Sequence, residues 1–266
     1  MNNNYIGIFD SGMGGLSVTK EVIRILPHEN IIYFGDTAHV PYGTRSAREI
    51  ISFVKEDVDF LMEFDPKAIV IACNTADAVA KSSIEKQFHV PIYGVVEPAA
   101  RFAANTTKNK KIGIIATNAT VDSHTYSSVI SSIDPDISVY EKACPLLVPL
   151  VEEGRFARGD EVVEKILRDY LKPLQEKQID TLVLGCTHYP LLMDYFKDIM
   201  KGVTIVSSST IAAENLKAQL KEFNTQEEKG DHRYFVSGDE ISFEKNAVIF
   251  MDDIKGKVNH ANTKKR

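Results

Sequence analysis

The sequence predicts an α/β protein of two pseudo-symmetric lobes with mainly parallel sheets and a site in the cleft between them. Three observations carry this: short, continuously apolar β-branched runs, helix-period stretches between them, and an internal repeat. The apolar runs fall at 5–9, 31–34, 68–72, 92–96, 112–116, 137–140, 181–184 and 203–206. Continuous rather than alternating hydrophobicity suits strands covered on both faces, as in a parallel sheet. Ile50, Ile51, Val54, Val58, Leu61 and Met62 share one face of a predicted helix. Val162, Val163, Ile166, Leu167, Tyr170, Leu171 and Leu174 share another. Strands alternating with helices imply right-handed βαβ crossovers.

The repeat pairs Ile6-Gly7-Ile8-Phe9 with Ile112-Gly113-Ile114-Ile115, and the run at 31–34 with that at 137–140, both 106 residues apart. The segment ending at Cys73 matches the one ending at Cys186, 113 residues apart. The expected lobes are residues 1–97 with 207–266, and residues 98–206. Two more strand-like runs stand at 234–237 and 247–251, and the polar tail after Lys255 reads as frayed.

The chain has 266 residues, 44% of them hydrophobic, enough for one large or two small cores. A net charge of −6 and a pI near 5.7 argue against a nucleic-acid or anionic-membrane partner. No apolar run approaches the roughly 20 residues needed to span a bilayer, and no signal-type leader is visible at the N-terminus. The three cysteines form no C-x-x-C pair, so reduced thiols in the cytoplasm are expected. The histidines show no ligand spacing and no lysine is marked as a Schiff-base site, so neither metal nor cofactor is expected.

Cys73 and Cys186 occupy equivalent positions in the repeat, just past a buried strand and before a predicted helix. In open α/β sheets ligands bind at that edge. A helix N-terminus lowers a thiol by about 1.5 pKa units at best. Neighbouring polar groups must therefore contribute: Asn74 and Thr75 beside the first thiol, Thr187 and His188 beside the second. Two sulfurs facing one cleft suit inversion of a stereocentre, one taking a proton from one face and the other returning one to the opposite face. One must start as thiolate and the other as thiol. Two lobes about a cleft also describe a non-catalytic amino-acid-binding protein, and two thiols a redox sensor.

Asp10-Ser11-Gly12-Met13-Gly14-Gly15 is a glycine-rich turn whose N–H groups suit a carboxylate, with Asp10 near enough to orient or deprotonate a thiol. Ser17 stands where a dinucleotide fingerprint needs its third glycine. By composition, Val40-Pro41-Tyr42-Gly43 reads as a surface turn, Glu152-Glu153 as a solvated pair and Cys144 as a buried structural thiol.

Taken together, Ile6-Gly-Ile-Phe-Asp-Ser-Gly-Met-Gly-Gly-Leu16, Tyr33-Phe-Gly-Asp-Thr37, Val40-Pro-Tyr-Gly43, Ala72-Cys-Asn-Thr75, Ala143-Cys-Pro-Leu146, Val148-Pro-Leu-Val-Glu-Glu-Gly154 and Leu184-Gly-Cys-Thr-His-Tyr-Pro-Leu191 resemble the glutamate racemases of the cofactor-independent aspartate/glutamate racemase family. The likeness runs from about residue 5 to the region of 234–238. Aspartate racemases typically carry Glu after the second Cys-Thr, where this chain has His188. Frequent family residues are replaced by His39 and by Ala99-Ala100. The resemblance implies Cys73 as the acid/base for D-glutamate and Cys186 for L-glutamate, with Asp10, Glu152 and His188 assisting proton transfer. It implies Asp10-Ser11, Pro41-Tyr42-Gly43, Asn74-Thr75 and Thr187-His188 as substrate-binding residues. It further implies a cytoplasmic homodimer that works without a cofactor and supplies D-glutamate for peptidoglycan synthesis.

Overall fold

The computed structural model describes residues 5–221, 223, 229–251, 254 and 257–261. Its strands are β1 Tyr5–Asp10, β2 Asn30–Gly35, β3 Ala68–Ile71, β4 Ile92–Gly94, β5 Lys111–Ala116, β6 Ser138–Ala143, β7 Thr181–Gly185, β8 Thr204–Ser207, β9 His232–Val236 and β10 Val258–His260. They form two wholly parallel sheets, ordered β10-β9-β2-β1-β3-β4 and β6-β5-β7-β8. Every residue of β1, β3 and β7 is buried, which is why their sequences are apolar without alternation. The expected two-lobed α/β architecture is the one observed.

Strand register makes the repeat explicit. β2-β1-β3-β4 and β6-β5-β7-β8 have the same order, with Tyr5 against Asn30 and Lys111 against Ser138. β1 and β5 therefore correspond 106 residues apart and β3 and β7 113 apart, as the sequence indicates. β2 and β6, however, correspond 108 residues apart, not 106. Hydrophobicity alone could not detect a two-residue slip between two short runs of similar composition.

Helix Ala47–Met62 begins with a capping box, Ser46 receiving the Glu49 N–H while the Glu49 carboxylate takes the Ser46 N–H. Its Ile50, Val54, Val58 and Leu61 face the sheet. Each such burial contributes about 1.5–3 kcal/mol relative to exposure. Helix Glu161–Glu176 is capped by Asp160 and buries Val163, Leu167, Leu171 and Leu174, while Val162 faces out.

The C-terminal part departs from expectation twice. Residues 247–251 are not a strand: Asp239 caps helix Glu240–Ala247, and a turn follows. The run buries Ala247, Phe250 and Met251 but exposes Val248, the spacing of a helical turn. Conversely, Val258–His260 in the tail read as frayed pairs with β9 as an edge strand; the rest of that tail lies mostly outside the described residues. Three residues of mixed polarity are enough for an edge, where one face needs no cover.

Candidate active site

All the chemistry-bearing segments leave the sheets at the carboxyl ends of strands: Ser11 after β1, residues 40–44 after β2, Cys73 after β3, Thr117 after β5, residues 145–152 after β6 and Cys186 after β7. A cavity of about 200 Å³ opens between these two sets of strand ends. Its walls come in repeat-related pairs: Ser11 with Thr117, Gly12 with Asn118, Val40 with Val148, Pro41 with Pro149, Thr44 with Glu152, Cys73 with Cys186, Asn74 with Thr187 and Thr75 with His188. Tyr42 and Gly43 also line it. Every proposed substrate or proton-transfer residue from the sequence is thus on the wall except Asp10, which is fully buried and does not reach it. The turn at 40–43 lies at the surface, with Val40 and Pro41 exposed, yet it also lines the cavity and buries Tyr42; Glu152 lines the cavity while Glu153 faces out.

Cys73 is the N-cap of helix Asn74–Ile84, its Sγ receiving the Ala76 N–H at 3.5 Å and lying 3.5 Å from Ser11 Oγ. The helix terminus does not win here. Burial first, then the nearby Asp10 carboxylate, push the thiol up to about 12 despite those donors. Cys73 therefore rests as a protonated acid. Asp10 accepts the Gly12 N–H at 2.9 Å through Oδ2, while Oδ1 has no hydrogen-bond partner among the described residues. Burial raises its carboxyl above the ordinary range, and His188 opposes that rise.

Cys186 differs from the expected picture, because no α-helix starts beside it. A 3-10 turn, Tyr189–Leu192, follows, with Pro190 early in it. Helix polarity is replaced by a side chain: His188 Nδ1 lies 3.8 Å from Cys186 Sγ, and Nε2 lies 3.1 Å from Glu152 Oε1. Burial alone would lower the imidazole, but the sulfur and the Glu152 carboxylate outweigh it and raise His188 to about 10. A buried imidazolium can donate to both partners at neutral pH.

This has a consequence for stability. His188 has an ordinary value of 6.5 and is raised in the fold, so its contribution is complete below pH 6.5 and is lost as pH rises through about 10. Denaturant melts across that window should show the wild type losing stability more steeply than His188→Asn. Equal slopes would contradict the coupling.

Contacts between the lobes frame the cavity. Asn74 accepts the Tyr126 hydroxyl at 2.7 Å and donates to Ser208 at 3.3 Å, and it lines the cavity. The hydroxyls of Thr75, Thr117 and Thr120 form a triangle with sides of 2.9–3.2 Å. Ser17 Oγ donates to the Thr187 carbonyl at 3.2 Å. Gly14 meets the second lobe so closely that an added Cβ would run into Thr187 Oγ1 and the His188 ring. Gly14→Ala should cost about 1–3 kcal/mol of stability by overpacking and raise KM; an unchanged denaturation midpoint would show that the lobes can yield there.

The sequence reading missed Thr117 and Asn118, which the 106-residue offset reaches one and two residues past β5, and Val148 and Pro149, hidden by the two-residue slip. Cys144 is buried, its thiol 3.6 Å from the Lys142 carbonyl. Among the described residues, no group of three or more His, Cys, Asp or Glu is arranged to hold a metal ion. None of the described helices is long and apolar enough to cross a membrane.

Residues 6–216 match the family model for Asp/Glu/Hydantoin racemase. A glutamate racemase from Lactobacillus acidophilus is 45% identical over 258 residues, 95% of each chain. One from Thermoanaerobacter pseudethanolicus is 43% identical over the full length of both. The crystal structure of glutamate racemase from Francisella tularensis in complex with D-glutamate superposes with a TM-score of 0.92 at 34% identity, covering 99% of each chain. Similarity of this extent, over a cavity that gathers both thiols, means that the chain belongs to the Asp/Glu/Hydantoin racemase family and is an amino-acid racemase.

Proposed function

We propose that the protein interconverts L-glutamate and D-glutamate by two-base proton transfer at Cα, without a cofactor. One observation carries the reading: Cys73 and Cys186, equivalent in the repeat but on different sheets, line the same small cavity. The relatives named above are glutamate racemases, and one was crystallised with D-glutamate.

In the L-to-D direction, the Cys186 sulfur takes the α-proton while His188 stabilises its anionic form. The carbanion is held by donors from Ser11, Asn74, Thr75 and Thr187, and the Cys73 thiol delivers its proton to the opposite face. Each sulfur ends in the protonation state the other began with. In the D-to-L direction, Cys73 must first lose its proton, and Asp10 is the buried base beside it, with a carboxyl raised by desolvation. Glu152 holds the His188 ring in place. Residues 1–97 with 207–266 and residues 98–206 are the units whose closure would exclude water. Through the family resemblance, we read the protein as a cytoplasmic homodimer whose product feeds peptidoglycan synthesis.

Incubation with either enantiomer in deuterium oxide tests the reading. Exchange of the α-hydrogen with inversion, faster for glutamate than for aspartate, is the expected result. Retention of the α-hydrogen would leave only a binding protein.

A further inference from the structure

Asp57 is a buried carboxyl that the mechanism does not use. It lies on the apolar face of helix Ala47–Met62, in line with Val54, Val58 and Leu61, and is 1% exposed. A charged group there is costly unless it is paired or neutral. Its Oδ2 is 3.1 Å from the hydroxyl of Tyr42, and that hydroxyl is 2.6 Å from Asp36 Oδ2. A phenol has one proton and can donate to only one of two carboxyls.

The surroundings decide which. Asp36 also receives the Ser237 hydroxyl at 2.7 Å and faces His39 Nδ1 at 2.9 Å, so it is the better placed to be the anion. Tyr42 then donates to Asp36, and its oxygen accepts from a protonated Asp57. Burial, and then the charge of Asp36, push the Asp57 carboxyl well above the usual carboxylate range, in agreement. Tyr42 is itself part of the cavity wall, with Pro41 and Gly43 on either side. Its ring also leans on Phe53 of the same helix at 5.5 Å.

We propose that Asp57 is a positioning residue for the reaction: through the Tyr42 hydroxyl it holds residues 40–44 in the shape that binds substrate, without reaching the cavity itself. The inference deepens the proposed function and rests on it. Because the group works as a neutral donor, its charge is dispensable and its hydrogen bond is not.

Steady-state kinetics in both directions test this. Asp57→Ala should raise KM for both enantiomers about tenfold, the loss of one buried hydrogen bond, with kcat nearly unchanged. Asp57→Asn keeps a donor and should bring KM back to within about twofold of wild type. Tyr42→Phe with Asp57→Ala should be no worse than the more impaired single variant, because both remove the same link. An unchanged KM in Asp57→Ala, a loss confined to kcat, failure of rescue by Asn, or additive losses would each overturn the proposal. Should Asp57→Ala not fold, infrared spectroscopy decides: a buried protonated-carboxyl stretch is expected in the wild type and should vanish in Asp57→Asn, and its absence from the wild type overturns the assignment. A wild-type chain that failed to turn over glutamate would instead sink the functional reading, and the infrared band would still judge the Asp57–Tyr42 link.

Discussion

Alanine at either Cys73 or Cys186 is expected to abolish racemisation, by about 10⁴-fold, since general acid–base groups supply up to that factor and each variant loses the group on one face outright. The fold should survive. Both side chains are small and 6% exposed, so truncation leaves little void; Cys73→Ala additionally removes the sulfur that accepts the Ala76 N–H, a cap worth about 0.5–2 kcal/mol in its oxygen forms. The more telling outcome is partial chemistry. A variant that retains only Cys186 can still take the α-proton from L-glutamate and return a solvent deuteron to the same face. It should exchange the α-hydrogen of L-glutamate slowly without inverting it, and leave D-glutamate untouched. Cys186→Ala should show the mirror pattern. Proton NMR in deuterium oxide reads both. Inversion at a sizeable fraction of the wild-type rate in either variant would remove that thiol from the mechanism.

Much of this site was legible in the sequence because the repeat is visible there. Strands buried on both faces must be apolar throughout, so β1 and β5, and β3 and β7, announce themselves and set Cys73 and Cys186 at matching edges. What failed had physical reasons. Register between two short apolar runs is set by backbone pairing, and hydrophobicity cannot distinguish 106 from 108. The expected helix dipole at both thiols held for one only, because a 3-10 turn and not an α-helix follows Cys186. At Cys73 the dipole lost to desolvation, a tertiary quantity that no local pattern reports. The run at 247–251 has strand composition but is stopped from being one by the Asp239 cap upstream. Its reward is Phe250, whose ring stands edge-on to His188 at 5.1 Å, so the C-terminal segment packs behind a cavity residue of the other lobe.

The two halves of the repeat also break symmetry where chemistry requires it, and that asymmetry should be measurable. Cys73 has Asp10 nearby, whose counterpart in the repeat is Ala116; Cys186 has His188, whose counterpart is Thr75. Asp10→Asn and His188→Asn are each expected to lower kcat/KM by about 10²–10⁴-fold, the usual worth of a proton-transfer partner. Enantiomers have equal free energy, so every variant must lose the same factor in both directions, and rates alone cannot tell which sulfur was affected. Isotopes can. Losing His188 raises the barrier to transfer between Cys186 and Cα. The substrate isotope effect with α-deuterated L-glutamate should then grow, because that deuteron moves to Cys186. With α-deuterated D-glutamate it should shrink, while the solvent isotope effect grows, because Cys186 now delivers a solvent-derived proton in the limiting step. Asp10→Asn should show the opposite pattern. If both variants changed the two substrate isotope effects alike, neither residue would serve one thiol in preference to the other, and the environments of Cys73 and Cys186 would have to be treated as one coupled system.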